Sequence, residues 1–260
     1  MLFLLPLMAY AQDLEEFKAG TFIQEQDTLP YRILYPQDFN ADGSYPMVLF
    51  LHGAGERGDN NRSQLTHGAE LFLRDSIRRE FPAIVVFPQA GQEDYWANIQ
   101  ADRTSRPYDF EFLFEEGPTP SMELVMGLVD SLRQEKFVDP SRIYVGGLSM
   151  GGMGTFELLG RKPEVFAAAF AICGGGDPVV ASKLPPGFPI WIFHGEKDDI
   201  VPPEHSKRMA RLINSEGGNA KLSLYPEANH NSWDSAFSEP CLLPWLFSIT
   251  KKDKDEHKTD

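Results

Sequence analysis

The chain has 260 residues, 42% of them hydrophobic and 12% aromatic, with a formal net charge of -14. That length and apolar content supply one substantial core and suit a single α/β domain. The negative charge repels phosphate backbones and excludes nucleic acid as a partner, and no Lys/Arg cluster offsets it, because Lys251, Lys252 and Lys254 are interleaved with acids.

Residues Met1 to Ala11 are apolar and end in Ala9-Tyr10-Ala11. The run is too short to span a bilayer and has the hydrophobic region and A-x-A cleavage pattern of a secretory signal peptide, although no positive residues precede it. The expectation is an exported, secreted or periplasmic protein, mature from about Gln12, with a domain over 12–249 and a charged tail over 250–260. In such a compartment Cys173 and Cys241 are either one disulfide or two buried thiols, and spacing does not decide between them. No Cys/His spacing suggests a zinc site, and no metal or cofactor is expected.

In chain order, Phe22-Ile23 and Tyr31–Tyr35 alternate as an antiparallel hairpin would. Met47–Leu51 is a continuous apolar run, the pattern of a strand buried on both faces, and it leads into His52-Gly-Ala-Gly-Glu-Arg-Gly58. A phosphate-binding loop is rejected for these glycines because no G-K-[ST] follows. Glu70–Arg79 reads as a helix and Ala83–Phe87 as the next buried strand. Gln89–Pro120 is long for a connection and rich in aromatic residues. Ser121 is the expected cap of a helix with Leu124, Leu128 and Leu132 on one face.

Further strands are expected at Ile143–Val145, Phe166–Cys173, Pro189–Phe193 and Lys221–Tyr225, with a helix over Glu204–Glu216 and a closing helix over Ala236–Ile249 interrupted by Pro240 and Pro244. Buried runs alternating with helices predict a mostly parallel sheet covered on both faces. Ligands bind such sheets beyond the carboxyl ends of the strands.

Gly147-Leu-Ser149-Met-Gly151 sits between a predicted strand and a predicted helix, the setting of a nucleophile elbow. A serine hydroxyl needs a histidine to take its proton and a carboxylate to orient that histidine. In chain order Ser, acid, His, the sequence leaves His230, in the loop Glu227–Trp233 after the last strand. His52 and His67 precede the serine; His194 beside Gly195 reads as structural, His205 lies early in a helix and His257 in the tail. The acid is expected in His194-Gly-Glu-Lys-Asp198-Asp199-Ile-Val-Pro202, with Asp198 favoured and Asp199 in reserve. Oxyanion donors are expected at the backbone amides of Met150 and Ala54.

With these segments placed, the chain resembles an α/β-hydrolase serine esterase from about Thr21 to Ile249. Leu51–Gly58, Gly147–Gly152, His194–Asp198 and Asn229–Trp233 are similar to motifs of the phospholipase/carboxylesterase group and of related "predicted peptidase" and polyhydroxybutyrate-depolymerase/feruloyl-esterase-like proteins. The resemblance implies Ser149, Asp198 and His230 as nucleophile, acid and base, and Ala54 and Met150 as oxyanion residues. Only Gly174–Phe188 separates the fourth and fifth strands, which leaves no room for a helical lid domain.

The implied activity is a serine carboxylesterase acting on a small-molecule or polysaccharide-borne ester, short-chain or aryl (feruloyl or acetyl type), without membrane insertion. A prolyl-oligopeptidase-type peptidase and a catalytically idle binding protein are the alternatives. Trp96 and Trp233 are the expected substrate contacts. Arg57 is expected either to pair with a substrate carboxylate or to tie its loop down.

Overall fold

The computed structural model describes residues 13–251, so the candidate signal peptide and most of the charged tail lie outside the described residues. In chain order the strands are β1 (Lys18–Gln24), β2 (Asp27–Leu34), β3 (Tyr45–Leu51), β4 (Ile84–Pro88), β5 (Ile99–Asp102), β6 (Asp109–Phe112), β7 (Val138–Leu148), β8 (Ala168–Ile172), β9 (Pro189–Gly195) and β10 (Asn219–Tyr225). Eight of them form one sheet in the order β1-β2-β4-β3-β7-β8-β9-β10, and β5 and β6 make a separate hairpin. In that sheet every pairing from β4 across to β10 is parallel, while β1–β2 and β2–β4 are antiparallel.

The unbroken apolar runs follow from burial on both faces. In β3, Met47, Leu49 and Leu51 enter one core and Val48 and Phe50 the other. In β9, Ile190 and Ile192 oppose Trp191 and Phe193 in the same way. A strand sends successive side chains to opposite faces, so both sets must be apolar when both faces are covered. Helices α3 (Pro120–Leu132), α4 (Met150–Arg161), α5 (Val179–Lys183) and α6 (Pro203–Ser215) cover the first face. Helices α1 (Ala69–Leu73), α2 (Asp75–Glu80), α7 (Trp233–Phe237) and α8 (Leu242–Phe247) cover the second. This is the α/β-hydrolase architecture. Between β8 and β9 the only regular element is the five-residue α5. No large lid is present among the described residues.

Several expectations are corrected. Glu70–Arg79 is two short helices, parted where Arg74 takes an extended ψ of 125°. The closing helix is likewise split into α7 and α8; Pro240 lies between them, and Pro244 sits in the first turn of α8, where a missing N–H costs no helical bond. The cap of α3 is Thr119, whose side chain accepts the Met122 amide at 3.2 Å, with Pro120 at the first helical position. The Gln89–Pro120 connection contains the β5–β6 hairpin, whose Phe110 packs with Ala97, Met153 and Val201 in a small core of its own. Cys173 is buried and Cys241 exposed, and both are free thiols, so neither a bridge nor a buried pair is formed. No helix among the described residues is long and apolar enough to cross a membrane.

Candidate active site

Strand β7 ends at Leu148 and α4 begins at Met150, so a single residue makes the turn between them. That residue, Ser149, takes φ 54° and ψ -117°, a region that L side chains rarely occupy and that costs about 1–3 kcal/mol. The surroundings over-determine it. The Ser149 amide donates to the Ile172 carbonyl at 2.8 Å, and its own carbonyl accepts the Met153 amide at 2.9 Å. Gly151 lies so close to β3 that a Cβ would fall on the Leu51 carbonyl. The G-x-S-x-G spacing is therefore a packing requirement: α4 can start only if its first turn presents no side chain to the neighbouring strand.

The other two groups arrive on loops that follow β9 and β10. These loops are tied together, since the Glu196 amide donates to the Tyr225 carbonyl at 3.0 Å and the Lys197 amide to the Ala228 carbonyl at 3.0 Å. His230 Nε2 stands 2.9 Å from Ser149 Oγ, and His230 Nδ1 stands 2.8 Å from Asp198 Oδ2. Asp198 Oδ1 accepts the Ile200 and Val201 amides, both at 2.9 Å. Burial pushes the Asp198 carboxyl up, but hydrogen bonds from His194, His230 and the Ile200 amide, with the charge of His230, outweigh it and hold the group well below the usual carboxylate range. The structure thus brings Ser149, Asp198 and His230 together. Asp199 instead turns out to Arg106, 3.5 Å away.

Two histidines outside this trio shape it. His194 is fully buried, with Nε2 3.1 Å from Asp198 Oδ2 and 2.9 Å from the Val201 carbonyl. Two acceptors on one nitrogen place a proton there, so His194 donates to the same carboxylate oxygen that His230 meets. Its Nδ1 meets Ser206 Oγ at 2.7 Å.

His52, 2% exposed, accepts the Ala90 amide on Nε2 at 3.0 Å. Its proton therefore sits on Nδ1, which donates to the Gly53 carbonyl at 2.6 Å. Burial drives its pKa from 6.5 to about 4, so the ring is neutral near neutral pH. The bonded carbonyl belongs to the same peptide unit as the Ala54 N–H, and in a trans peptide the two point in opposite directions. His52 thereby aims the Ala54 amide away from its own ring. Chain order sets His52 aside and the place beside Gly195 makes His194 structural; the His-Gly dipeptide at the carboxyl ends of β3 and β9 is the signal they share.

Ala54 opens a single 3-10 turn, Ala54–Glu56, and Met150 opens α4. The first amides of a helical turn have no partner within it, so both positions present free N–H groups. Ala54, Met150, Ser149 and His230 all line one open cavity of about 390 Å³. Leu148, Met153, Val201, Tyr108 and Phe110 give it an apolar wall, the last two from the excursion carrying the hairpin. Trp233 lines it too, edge-on to His230 with ring centroids 5.5 Å apart.

Trp96 does not line the cavity. It is completely buried, its Nε1–H donates to the His52 carbonyl at 3.0 Å, and its Cβ fills the space over Gly154 of α4. Expected as a substrate contact, it is a core residue that holds β3's end against α4. Arg57 ties its loop, donating from Nε to the Ala54 carbonyl at 2.9 Å.

Comparison with known proteins gives the family. A bifunctional acetylxylan esterase/xylanase of Neocallimastix patriciarum is 28% identical over 156 residues, 60% of this chain and 20% of that protein. A protein named as a probable feruloyl esterase C of Aspergillus niger is 21% identical over 230 residues, covering 84% and 73%. The crystal structure of a thermostable esterase superposes with a TM-score of 0.82 at 33% identity, covering 92% of this chain and 64% of that one. The chain thus spans only a fifth of the first relative and under two thirds of the last. The family model for phospholipase/carboxylesterase matches residues 40–239, which include the elbow, both loops and the Ala54–Glu56 turn, and the chain belongs to that family of α/β-hydrolases.

Proposed function

We propose that the protein is an exported serine carboxylic ester hydrolase that acts through an acyl-enzyme on short-chain or aryl esters of the acetyl or feruloyl type. The observation that carries this reading is the unbroken relay Ser149–His230–Asp198, 2.9 and 2.8 Å between its members, with the serine at a strained apex. As Ser149 Oγ attacks the carbonyl carbon, His230 Nε2 takes its proton, while the Nδ1–H stays directed at the ionised Asp198. The carbonyl oxygen becomes an oxyanion between the Ala54 and Met150 amides. His230 then passes the proton to the leaving alcohol, and a water molecule activated by the same nitrogen releases the acid.

The open, mostly apolar cavity accommodates a short acyl chain or one aryl ring, with Trp233 as the stacking surface. The acetylxylan and feruloyl esterase relatives favour the same substrate class, as small molecules or as groups borne on a polysaccharide. Export rests on the apolar run ending in Ala9-Tyr10-Ala11. N-terminal sequencing of the chain recovered from outside an expressing cell should begin at Gln12; a secreted chain still starting at Met1 would contradict it.

The direct test compares the protein with Ser149→Ala on p-nitrophenyl acetate, butyrate, octanoate and palmitate, methyl ferulate and a prolyl anilide. Turnover of the short esters or ferulate should fall by about 10⁴-fold or more in the variant. Equal activity of the two proteins would sink the serine mechanism. Anilide turnover above ester turnover would replace the esterase with a peptidase.

A further inference from the structure

In a chain of net charge -14, Arg57 and Arg103 stand on one wall of the catalytic cavity, and among the described residues neither has a carboxylate partner within ion-pair distance. Both pack against Tyr95, with guanidinium carbons 5.1 and 5.6 Å from the ring centroid, and Arg103 Nη2 donates to the Tyr95 hydroxyl at 2.6 Å. Arg57 is anchored through Nε to the Ala54 carbonyl, and its Nη1 makes only a long contact, 3.4 Å, to the Asp94 carbonyl. That anchor places its charge beside the turn whose amide faces the reacting carbonyl.

The neighbouring acids are engaged elsewhere. The Asp94 carboxylate accepts the Tyr95 and Ser121 amides at 2.8 and 2.6 Å, and Asp102 accepts the Thr104 amide at 2.8 Å. Glu56, also on the cavity, stands 3.8 Å from His67, and burial pushes its carboxyl up. A guanidinium presents paired N–H donors that match a carboxylate, and an aromatic face holds it without neutralising it.

We propose that Arg57 and Arg103, positioned by Tyr95, form an anion subsite that selects esters bearing a carboxylate a few atoms from the scissile bond. The proposal rests on the esterase reading and narrows its substrate class. Two kinds of ester share that chemistry: a half-ester of a dicarboxylic acid, with the carboxylate on the acyl side, and an acylated hydroxy acid or uronate, with it on the alcohol side.

The test uses matched pairs on the full chain: monomethyl against dimethyl succinate, and acetylated hydroxybutyrate against its methyl ester. In at least one pair the anionic partner should have the higher kcat/KM by about tenfold, mainly through KM. The pair that responds identifies the side of the ester. The preference should shrink at high salt and fall to unity or below in Arg103→Gln, with Arg103→Lys intermediate. Because the ratio is taken within each protein, a less stable variant does not imitate the effect.

A neutral partner favoured in both pairs, or a preference that survives in the Arg57→Gln/Arg103→Gln double variant, would overturn the subsite and leave the arginines as clamps on Tyr95. If no ester is hydrolysed, p-nitrophenyl acetate included, the esterase reading fails instead. Calorimetric titration of monomethyl succinate and acetylated hydroxybutyrate into Ser149→Ala then judges the subsite alone. Binding of either that is lost on adding Arg103→Gln supports the subsite, and binding of neither rejects it.

Discussion

The elbow around Ser149 and the β5–β6 hairpin contribute to walls of the same cavity and are built in opposite ways. At the elbow, main chain holds main chain: the Ser149 amide is fixed on Ile172, the bare Cα of Gly151 lies against Leu51, and every residue from Met150 to Gly160 is buried. The hairpin exposes alternate residues, shares a small core with Met153 and Val201, and is anchored just before its second strand by the Tyr108 amide on the Ile200 carbonyl at 3.0 Å. Reaction geometry therefore resides in backbone that tolerates no added atom. The shape of the substrate space resides in side chains that can be exchanged.

The largest break in this comparison should come from Asp198→Asn. An amide in place of the carboxylate orients His230 in the wrong tautomer, and kcat on p-nitrophenyl acetate should fall by about 10⁴-fold. A folded variant that keeps more than a tenth of the activity would refute the role.

Next is His52→Asn. Without the imidazole the Gly53–Ala54 peptide is free to rotate, and kcat should fall by up to the 10²–10³-fold that one oxyanion donor is worth, with KM little changed. A rise in KM at constant kcat would show that His52 shapes binding instead. The same variant has a signature in stability. His52 has a folded pKa of about 4 against 6.5 in the unfolded chain. Between those values the unfolded chain binds a proton that the folded one excludes, so stability should decline as pH falls from about 6.5 to about 4, by up to about 3 kcal/mol. Wild-type denaturation curves should therefore converge on those of His52→Asn across that window, and parallel curves would refute the buried neutral ring.

Gly151→Ala tests the elbow as packing. A Cβ there meets backbone, which cannot move aside as a side chain would, and unfolding free energy should drop by about 1–3 kcal/mol or more. The matching change in the hairpin, Tyr108→Ala, should alter stability by only about 0.5 kcal/mol. It should instead shift the acyl-chain profile, raising octanoate relative to acetate by about tenfold. A Tyr108 variant with an unchanged profile would place the selectivity elsewhere.

The same contrast explains what was legible in the sequence. Met47–Leu51, Ile143–Val145 and Pro189–Phe193 read as buried strands because both of their faces must be apolar. Ser149, Asp198 and His230, which the structure brings within hydrogen-bond distance, each follow a strand in the order Ser, acid, His. Long-range packing was hidden. Trp96 and Trp233 look alike in sequence, and what separates them is the bare surface of Gly154, which admits one indole into the core. The role of His52 depends on Ala90, 38 residues away, and no local pattern reports that bond. The hairpin is hard to read because its strands are only four residues each, too short for a pattern to stand out. At α3 both Thr119 and Ser121 carry a capping hydroxyl, and the structure uses Thr119, two residues before the expected cap.

The brief link between β8 and β9, with only the five residues of α5 above it, has a consequence for kinetics in emulsions. Among the described residues nothing on that side must peel away before an ester reaches Ser149, so on the proposed esterase reading an oil–water boundary should bring no gain. Its velocity should rise smoothly through the concentration at which an ester first separates into droplets, without the upward jump of a lipase that opens at an interface.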